Sequence, residues 1–253
     1  MNSGLLRTLS GWLPMLAMVL APGPAGGEPL ITDRPGNGNS ATTVGQLRLQ
    51  VETSVNFVIS PDALSLPTGL RFGLTDFWEL RVLSGLFGVN DGDVQATDTA
   101  VGTKLSLLAN QGAVPALALM VDVFLPSGGA AFTRDEVVPE FRMAASWGLP
   151  FGLALLANVG ADIPEDADGR FAQLLYVANA SYSIPVSNRQ ASIFVESFGL
   201  LAFEGASRPD IVQLDAGAAY LVTEDFQLDV FVQIGLTEAA PDFQIAGGVS
   251  FRL

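Results

Sequence analysis

The sequence has no cysteine and no histidine. Without cysteine the chain can form no disulfide, no thiolate nucleophile and no thiolate-bound metal. Without histidine it lacks the most frequent general base and the most frequent ligand of transition metals, so catalytic triads built on an imidazole are excluded. These absences remove most routes to catalysis, and we predict that the protein is not an enzyme and carries no cofactor and no metal.

Positive charge is scarce as well. The chain has 12 lysines and arginines against 26 aspartates and glutamates, and its formal net charge is -14. Proteins that bind nucleic acid neutralise its phosphates with clustered basic side chains. The sequence contains no such cluster, so we predict no nucleic-acid partner.

Long hydrophobic runs are missing beyond the N-terminus, although 49% of the residues are hydrophobic and only 15% are charged. No stretch after residue 25 approaches the roughly 18 uncharged apolar residues that a membrane helix needs. At the N-terminus, Arg7 precedes the apolar residues 12–20 and the small residues 23–25. This pattern predicts a signal peptide over residues 1–25, with a short membrane anchor as the alternative.

Apolar and polar residues alternate along much of the chain. Residues 226–236, FQLDVFVQIGL, carry an apolar side chain at every second position, which is the pattern of a strand with two unlike faces. Several such segments follow one another with no helical periodicity between them, and they predict an antiparallel meander. They cover about residues 45–58, 65–74, 77–87, 97–109, 113–124, 138–148, 151–162, 171–183, 190–202, 210–222, 225–236 and 243–253.

The links between the segments alternate in length. Every second link is tight, as at residues 75–76 and 223–224, whereas the others are mostly longer and acidic, as at residues 126–136 and 164–170. Short turns at one end and longer loops at the other are typical of outer-membrane β-barrels, whose turns face the periplasm. We therefore predict an all-β fold, an antiparallel up-and-down transmembrane β-barrel of about twelve strands.

Aromatic residues support this prediction, because they fall in two bands near the strand ends, where the interface girdles of a transmembrane barrel lie. The band near the tight turns contains Trp78, Trp147, Tyr182, Tyr220 and Phe226, and the opposite band contains Phe57, Phe124, Phe171 and Phe243.

Charged residues occupy the strand face opposite to the aliphatic one. Isolated charges in a soluble core are costly, whereas a lumen can hydrate them or pair them across the barrel. The polar face is therefore predicted to point inward and the aliphatic face toward lipid. Several large apolar residues share the polar face, which indicates an apolar part of the lumen or a register slip at a bulge. These are Leu108, Leu156, Phe194, Phe198, Leu200 and Phe231.

Two groups of residues are candidates for function. Rings of fixed charge set the selectivity of pores, and the lumen candidates are Arg48, Glu52, Arg71, Arg81, Lys104 and Glu140. Structural ion pairing is the alternative for most lumen charges. Asp33, Arg34 and Pro35, which precede the first strand, are candidates for a plug or gate on the periplasmic side. The alternative for them is a capped turn at the barrel entrance.

Four segments, taken together, resemble a known family. They are ITDRPGNGNSATTVGQLRLQVETSVNF, DTAVGTKLSLL, LALMVDVFLPSGG followed by VVPEFRMAASW, and FQLDVFVQIGLTEAAPDFQIAGGVSFRL. Their order and spacing, from Ile31 to Leu253, are similar to the outer-membrane transporter family labelled putative MetA-pathway of phenol degradation.

The resemblance implies an outer-membrane β-barrel of a Gram-negative bacterium that passes small solutes, aromatic or hydrophobic compounds among them. The implied partners are outer-membrane lipid and a small-molecule solute, and no catalytic residues are transferred. The expected organisation is a signal peptide over residues 1–25, a periplasmic N-terminal arm over residues 26–44 and the barrel over residues 45–253.

Two other functions stay open at this point. An outer-membrane enzyme without histidine would need a Ser-Lys pair or a carboxylate pair, and Lys104 with Ser106 on one strand face is the only candidate found. A structural or plugged barrel without transport is the second, because paired charges also fill the lumens of small barrels. The acidic loops at residues 90–93 and 165–169 lack the full spacing of a calcium loop, which agrees with the absence of a predicted metal.

Overall fold

The structure is a computed structural model that describes residues 29–59, 62–90, 92–166, 169–186, 189–203 and 209–253. The predicted signal peptide lies outside these ranges and stays a prediction. Within them, no helix is long and apolar enough to cross a membrane.

Twelve long antiparallel strands form a single closed sheet. They are β1 (Leu49–Ile59), β2 (Thr68–Thr75), β3 (Trp78–Ser84), β4 (Thr99–Leu108), β5 (Ala116–Leu125), β6 (Val138–Gly148), β7 (Leu153–Asp162), β8 (Gln173–Val186), β9 (Arg189–Ala202), β10 (Ile211–Thr223), β11 (Phe226–Gly235) and β12 (Phe243–Arg252).

Each strand pairs with its neighbours in the chain, and β12 returns to pair with β1 from Gln50↔Arg252 to Ile59↔Phe243. Closure leaves the barrel no free sheet edge, so every long strand is hydrogen-bonded on both sides. The predicted fold is confirmed, and the alternating segments coincide with the twelve strands to within a few residues.

Short elements lie outside the barrel wall. Ala63–Ser65, Phe87–Asn90 and Asp93–Ala96 extend the sheet beyond the end of β1, and Glu165–Asp166 pairs with Gly169–Arg170 in a small hairpin. All of them lie in the longer links, at the end opposite to the tight turns. This end of the barrel therefore carries most of the structure outside the strands.

The two faces of the wall differ as the alternation predicts. Large apolar side chains on the outer face are exposed, among them Leu80 (44%), Val195 (60%) and Ile234 (52%). Polar and charged side chains on the inner face are buried, and Arg71 and Lys104 are among the largest fully buried side chains of the described residues. An apolar exterior around a polar interior is the reverse of a soluble protein and is the arrangement of a transmembrane barrel.

One member of the predicted aromatic bands faces the other way. Phe124 has the same strand parity as Asp122, so its ring points into the lumen, where the guanidinium of Arg134 lies 4.0 Å from the ring centroid. Trp78, Trp147 and Tyr182 keep the outward parity near the tight turns. The assignment of Phe124 to a lipid-facing girdle was therefore wrong, because its position near a strand end did not establish its face.

The apolar residues of the polar face have two different explanations. A register shift between Ser106 and Leu108 turns Leu108 outward, where it is 49% exposed. Phe231 keeps the inward parity and is 5% exposed. The lumen is therefore partly apolar, and of the six apolar residues only Leu108 lies at a register shift of the described strands.

Candidate functional site

Residues 29–46, which we call the lumen arm, run inside the barrel. At one end, the Leu30 N–H donates to the Glu224 carbonyl at 2.7 Å, in the turn between β10 and β11. At the other end, the Gln46 N–H donates to Asp76 Oδ1 at 3.1 Å, in the turn between β2 and β3. Both ends therefore lie at the tight-turn end of the barrel, and the residues between them extend into the lumen.

Asp33 is bound at the centre of the lumen by three basic side chains, which we call the cation pocket: Arg71, Arg81 and Lys104. Lys104 Nζ lies 2.8 Å from Asp33 Oδ2, Arg71 Nη1 lies 3.5 Å from it and Arg81 Nη2 lies 3.6 Å from it. The Ser40 N–H also donates to Asp33 Oδ1 at 2.8 Å, which folds the lumen arm back on itself.

Burial by itself would raise the pKa of Asp33, because a carboxylate loses hydration inside the barrel. The positive charges of Arg71, Lys104 and Arg81 outweigh this effect and hold the pKa well below its ordinary value. Asp33 is therefore a carboxylate in the docked arm over the whole neutral pH range.

The wall around the cation pocket supplies its own counter-charges. Arg71 Nε lies 2.8 Å from Glu79 Oε1, and its Nη1 lies 2.9 Å from Glu52 Oε1. Arg81 lies 3.5 Å from Asp122. Arg71 thus lies between acids of both neighbouring strands, and buried charges paired in this way avoid much of the cost of losing water.

The tip of the lumen arm reaches the opposite wall. The Asn37 N–H donates to Glu196 Oε1 at 2.6 Å, and Asn37 Nδ2 donates to Asp215 Oδ2 at 2.8 Å. A Cβ atom at Gly36 or Gly38 would come within 2.8 Å of a carboxylate oxygen of Glu196, and Gly36 also has a φ of +94°, which side chains rarely adopt. The glycines therefore allow the backbone to approach β9 closely.

Further bonds fix the arm on other sides. Arg34 Nη2 lies 3.0 Å from Asp229 Oδ1 on β11, and the Arg34 guanidinium lies 6.0 Å from the centroid of the Phe231 ring. The Asn39 N–H donates to Asn158 Oδ1 at 2.8 Å on β7. Pro35 follows Arg34 through a cis peptide bond and begins the turn at the tip. The arm is thus bonded to the wall on nearly all sides of the lumen.

Cavities lie on both sides of the lumen arm. The one on the long-loop side has about 320 Å³ and is lined by Arg34, Arg81, Arg142 and Phe124 as well as by several acids. The one on the tight-turn side has about 340 Å³ and is lined by residues such as Thr42 and Arg252. The arm therefore lies across the lumen between an outer and an inner vestibule.

The lumen candidates from the sequence fall into two groups. Glu52, Arg71, Arg81 and Lys104 gather around Asp33, and Glu140 pairs with Arg142 at 2.9 Å farther along the wall. Arg48 lies apart at the tight-turn end, with its side chain 38% exposed and 3.8 Å from Asp225. Their part in selectivity stays a prediction.

Sequence reasoning passed over the residues that hold the tip. Asn37 and Asn39 bind the wall on five strands, and Glu196 and Asp215 receive the tip. The signal that could have found the tip is the run of small residues 35–39, PGNGN, which allows close backbone approach.

The family of the chain is decided by its match over residues 32–253 to the family described as "Putative MetA-pathway of phenol degradation". The chain belongs to this family. The resemblance seen in the sequence motifs is thereby confirmed. Among curated proteins, none matches the chain.

Solved structures with the same fold are outer-membrane channels and porins. An outer-membrane channel from Pseudomonas putida F1 is 15% identical, with a TM-score of 0.61 over 87% of this chain and 99% of that one. The NanC porin is 10% identical, with a TM-score of 0.55 over 80% of this chain and 100% of that one. The KdgM porin is also 10% identical, with a TM-score of 0.53 over 80% of this chain and 98% of that one. At these identities the likeness establishes the fold.

Proposed function

We propose that the protein is a passive channel of the outer membrane for small solutes, and that the lumen arm closes it. The observation that carries this proposal is the position of the arm, which lies between two vestibules and is bonded to strands on opposite sides of the lumen. A purely structural barrel could fill its lumen with wall side chains alone. A segment whose two chain ends both lie at the tight-turn end can instead withdraw when its bonds to the wall break.

The location and the solute class are parts of the same proposal. An apolar outer face supports insertion in a bilayer, and the names of the structural neighbours describe outer-membrane channels and porins. We infer export through the N-terminal signal peptide over residues 1–25. The family description supports aromatic or hydrophobic solutes, and the inward rings of Phe194, Phe198 and Phe231 offer apolar surface to such compounds.

The absence of catalysis is also proposed. Lys104, the residue that an enzyme with a Ser-Lys pair would use as base, has its ammonium bonded to both carboxylate oxygens of Asp33, at 2.8 and 3.0 Å. An ammonium bound in this way is not available to activate the Ser106 hydroxyl. The structural neighbours are named as channels and porins.

Single-channel conductance in planar bilayers tests the proposal. The chain without its signal peptide is compared with a variant that also lacks residues 29–44, after both are shown to be folded by heat-modifiable migration on gels. We expect rare or small current steps from the first and steps that are larger and persist from the second, because the deletion joins the two vestibules. A folded deletion variant that does not conduct would contradict the channel and would favour the structural barrel.

A reversible lock makes the test sharper. Ala41 of the arm packs with Ala118 and Ala144 in one buried cluster, and the chain has no cysteine of its own. Ala41→Cys with Ala144→Cys should form a disulfide that holds the arm in place, because small side chains in contact bring their Cβ atoms within bonding range. We expect the oxidised double variant to carry no current and reduction to restore it. The single variant Ala41→Cys is the control, and its current should not respond to oxidation.

A further inference from the structure

The three basic side chains of the cation pocket depend on the lumen arm to different degrees. Arg71 is held by Glu52 and Glu79 of the wall at 2.9 and 2.8 Å, so it keeps close partners whether or not the arm is present. Lys104 has one wall carboxylate, Glu79, and that lies 3.7 Å away. Without the arm, Lys104 loses its bonds to Asp33 and to the Thr42 carbonyl.

Arg81 depends on the lumen arm in the same way as Lys104 does. Its wall carboxylate, Asp122, lies 3.5 Å away, whereas Asn39 of the arm accepts a hydrogen bond from Arg81 Nη2 at 2.9 Å. Arg81 is 4% exposed and Lys104 is 0% exposed. Buried cations that lack a close acceptor are costly. Withdrawal of the arm therefore leaves two fixed positive groups turned toward the place that the Asp33 carboxylate had occupied.

The charge balance sets how much negative charge this place accepts. The three cations of the pocket face three wall carboxylates, those of Glu52, Glu79 and Asp122. The wall around the cation pocket is thus neutral without the arm, and the closed state adds one negative charge from Asp33. A single carboxylate from another source would reproduce the closed-state balance, whereas a dicarboxylate would exceed it.

Access to this place is from the long-loop side. The cavity of about 320 Å³ there is lined by Asp33 and Arg81 together with the apolar side chains of Leu83 and Phe124. Its volume corresponds to about ten water molecules, which is room for a small organic acid with one ring. Acidic side chains, among them Asp98 and Glu140, line the same cavity, so the positive groups of the cation pocket are what would fix the position of a carboxylate.

We propose that the cation pocket binds the carboxylate of a small monocarboxylic acid that passes through the channel, and that Asp33 occupies this site as an internal substitute in the closed state. The proposal rests on the channel function proposed above and names its substrate class. The solute would take the place of Asp33 against Lys104 and Arg81, with its apolar part toward Leu83 and Phe124. Binding of the solute and withdrawal of the arm are then coupled, because the solute carboxylate and the Asp33 carboxylate compete for the same cations.

Binding can be measured without conduction, by isothermal titration calorimetry of the folded protein in detergent. The probes are benzoate and benzyl alcohol, which share the ring and differ in charge. Asp33→Asn removes the internal carboxylate and leaves the wall intact. We expect it to bind benzoate at least about tenfold more tightly than the unaltered chain does, because one charge-assisted competitor is gone. Benzyl alcohol should bind both forms equally.

Two further variants separate the pocket from the rest of the lumen. Lys104→Met in the Asp33→Asn background should lose the benzoate affinity that was gained, whereas Arg48→Met, at the tight-turn end, should leave it unchanged. Asn37→Ala loosens the tip of the arm but keeps Asp33, so it should not produce the preference for benzoate over benzyl alcohol. If Lys104→Met does not fold, Asp33→Asn still tests the proposal from the arm side.

The result that overturns the proposal is equal benzoate affinity in the Asp33→Asn protein and the unaltered chain. If the channel lacking residues 29–44 still conducts in that case, the channel function stands and only the substrate class falls. If benzoate binds as expected and the deletion variant does not conduct, the site stands and the channel function falls.

Discussion

The two halves of the lumen wall differ in the signs of the charges that they turn inward. From β1 to β6 the wall carries both signs of charge, and its buried acids lie beside bases such as Arg71 and Arg142. From β7 to β11, strands that lie within the described ranges, no lysine or arginine faces the lumen, and the inward charges are acids. Those acids are Asp162, Glu196, Asp215 and Asp229.

The second half depends on segments outside the wall. Arg34 of the lumen arm is the partner of Asp229, and Asn37 bonds to both Glu196 and Asp215. Arg134 of a long loop lies 3.4 Å from Asp162. The acids of the second half are therefore paired mainly with segments outside the wall, whereas Arg71 in the first half has both of its closest carboxylates, Glu52 and Glu79, on neighbouring strands. Release of the arm would unpair acids on β9, β10 and β11 and two cations of the pocket, but it would leave the bonds among Arg71, Glu52 and Glu79 intact.

The largest expected effect comes from breaking the paired half. Arg71→Met leaves Glu52 and Glu79 buried without their closest cation, and removing one member of a buried ion pair costs about 3–5 kcal/mol. We expect the free energy of unfolding, measured with urea in lipid vesicles, to fall by about this amount. The matched control Arg48→Met removes a half-exposed arginine and should change it by less than about 1 kcal/mol. Equal effects of the two variants would mean that burial in the first half adds nothing to stability.

Changing a carboxyl to an amide should have an intermediate effect on the free energy of unfolding. We expect this effect to have opposite signs in the two halves of the wall. Glu79→Gln weakens charge-assisted bonds to Arg71 and should destabilise the protein by about 1.5–3 kcal/mol. Asp215→Asn removes one of two acids that face each other directly across β9 and β10, and Asp215 Oδ1 has no hydrogen-bond partner. Like charges directly opposite are unfavourable, so we expect this variant to be neutral or more stable by up to about 1 kcal/mol. Urea unfolding of both variants checks the signs, and destabilisation by Asp215→Asn would show that the hydrogen bond from Asn37 to Asp215 outweighs the repulsion between Asp215 and Glu196.

A smaller effect on the barrel, visible mainly in the arm, is expected for Arg34→Met. The variant removes the basic partner of Asp229 on the arm side and leaves the paired half untouched. In a chain that carries Ala41→Cys as its single thiol, adding Arg34→Met should make a charged thiol reagent react with this thiol about tenfold faster or more. A change of this size corresponds to the loss of one charge-assisted hydrogen bond. Arg34→Lys should recover part of the protection. An unchanged rate would show that Arg34 does not hold the arm.

The sequence predicts the wall well because its information is local. A strand such as β11 shows both of its faces in ten consecutive residues, and the inward positions of Glu52, Arg71 and Lys104 follow from the same parity. The bulge in β4 and the inward ring of Phe124 show the limit of this reasoning. One inserted residue or an assignment from position near a strand end changes the face.

The site was predictable only in part. Asp33, Arg34 and Pro35 were proposed as a plug or gate from their place before the first strand, and the structure places them in the lumen. Which wall residue each one meets depends on how the twelve strands close, since Asp33 bonds to Lys104 across 71 residues and Arg34 bonds to Asp229 across 195. No periodic pattern in residues 29–46 encodes these contacts.

The smallest effect is expected from pH, and it concerns Asp33. The pKa of Asp33 in the docked arm lies below its ordinary value of 3.8, so this carboxylate stabilises docking at every pH above that value and stops doing so only as pH falls toward the docked value. The open probability of Asp33→Asn channels relative to unaltered channels should therefore be constant from about pH 8 to about pH 5, and the two should approach each other below about pH 4. Comparing the variant with the unaltered chain at each pH removes contributions that the two share, including those of the acids on β9 and β10. A ratio that changed between pH 8 and pH 5 would mean that Asp33 takes up a proton in the docked arm. In that case the cation pocket could not be holding a permanent carboxylate. The contact that holds the lumen arm closed and the internal substitute for a solute would then have to be assigned to other groups.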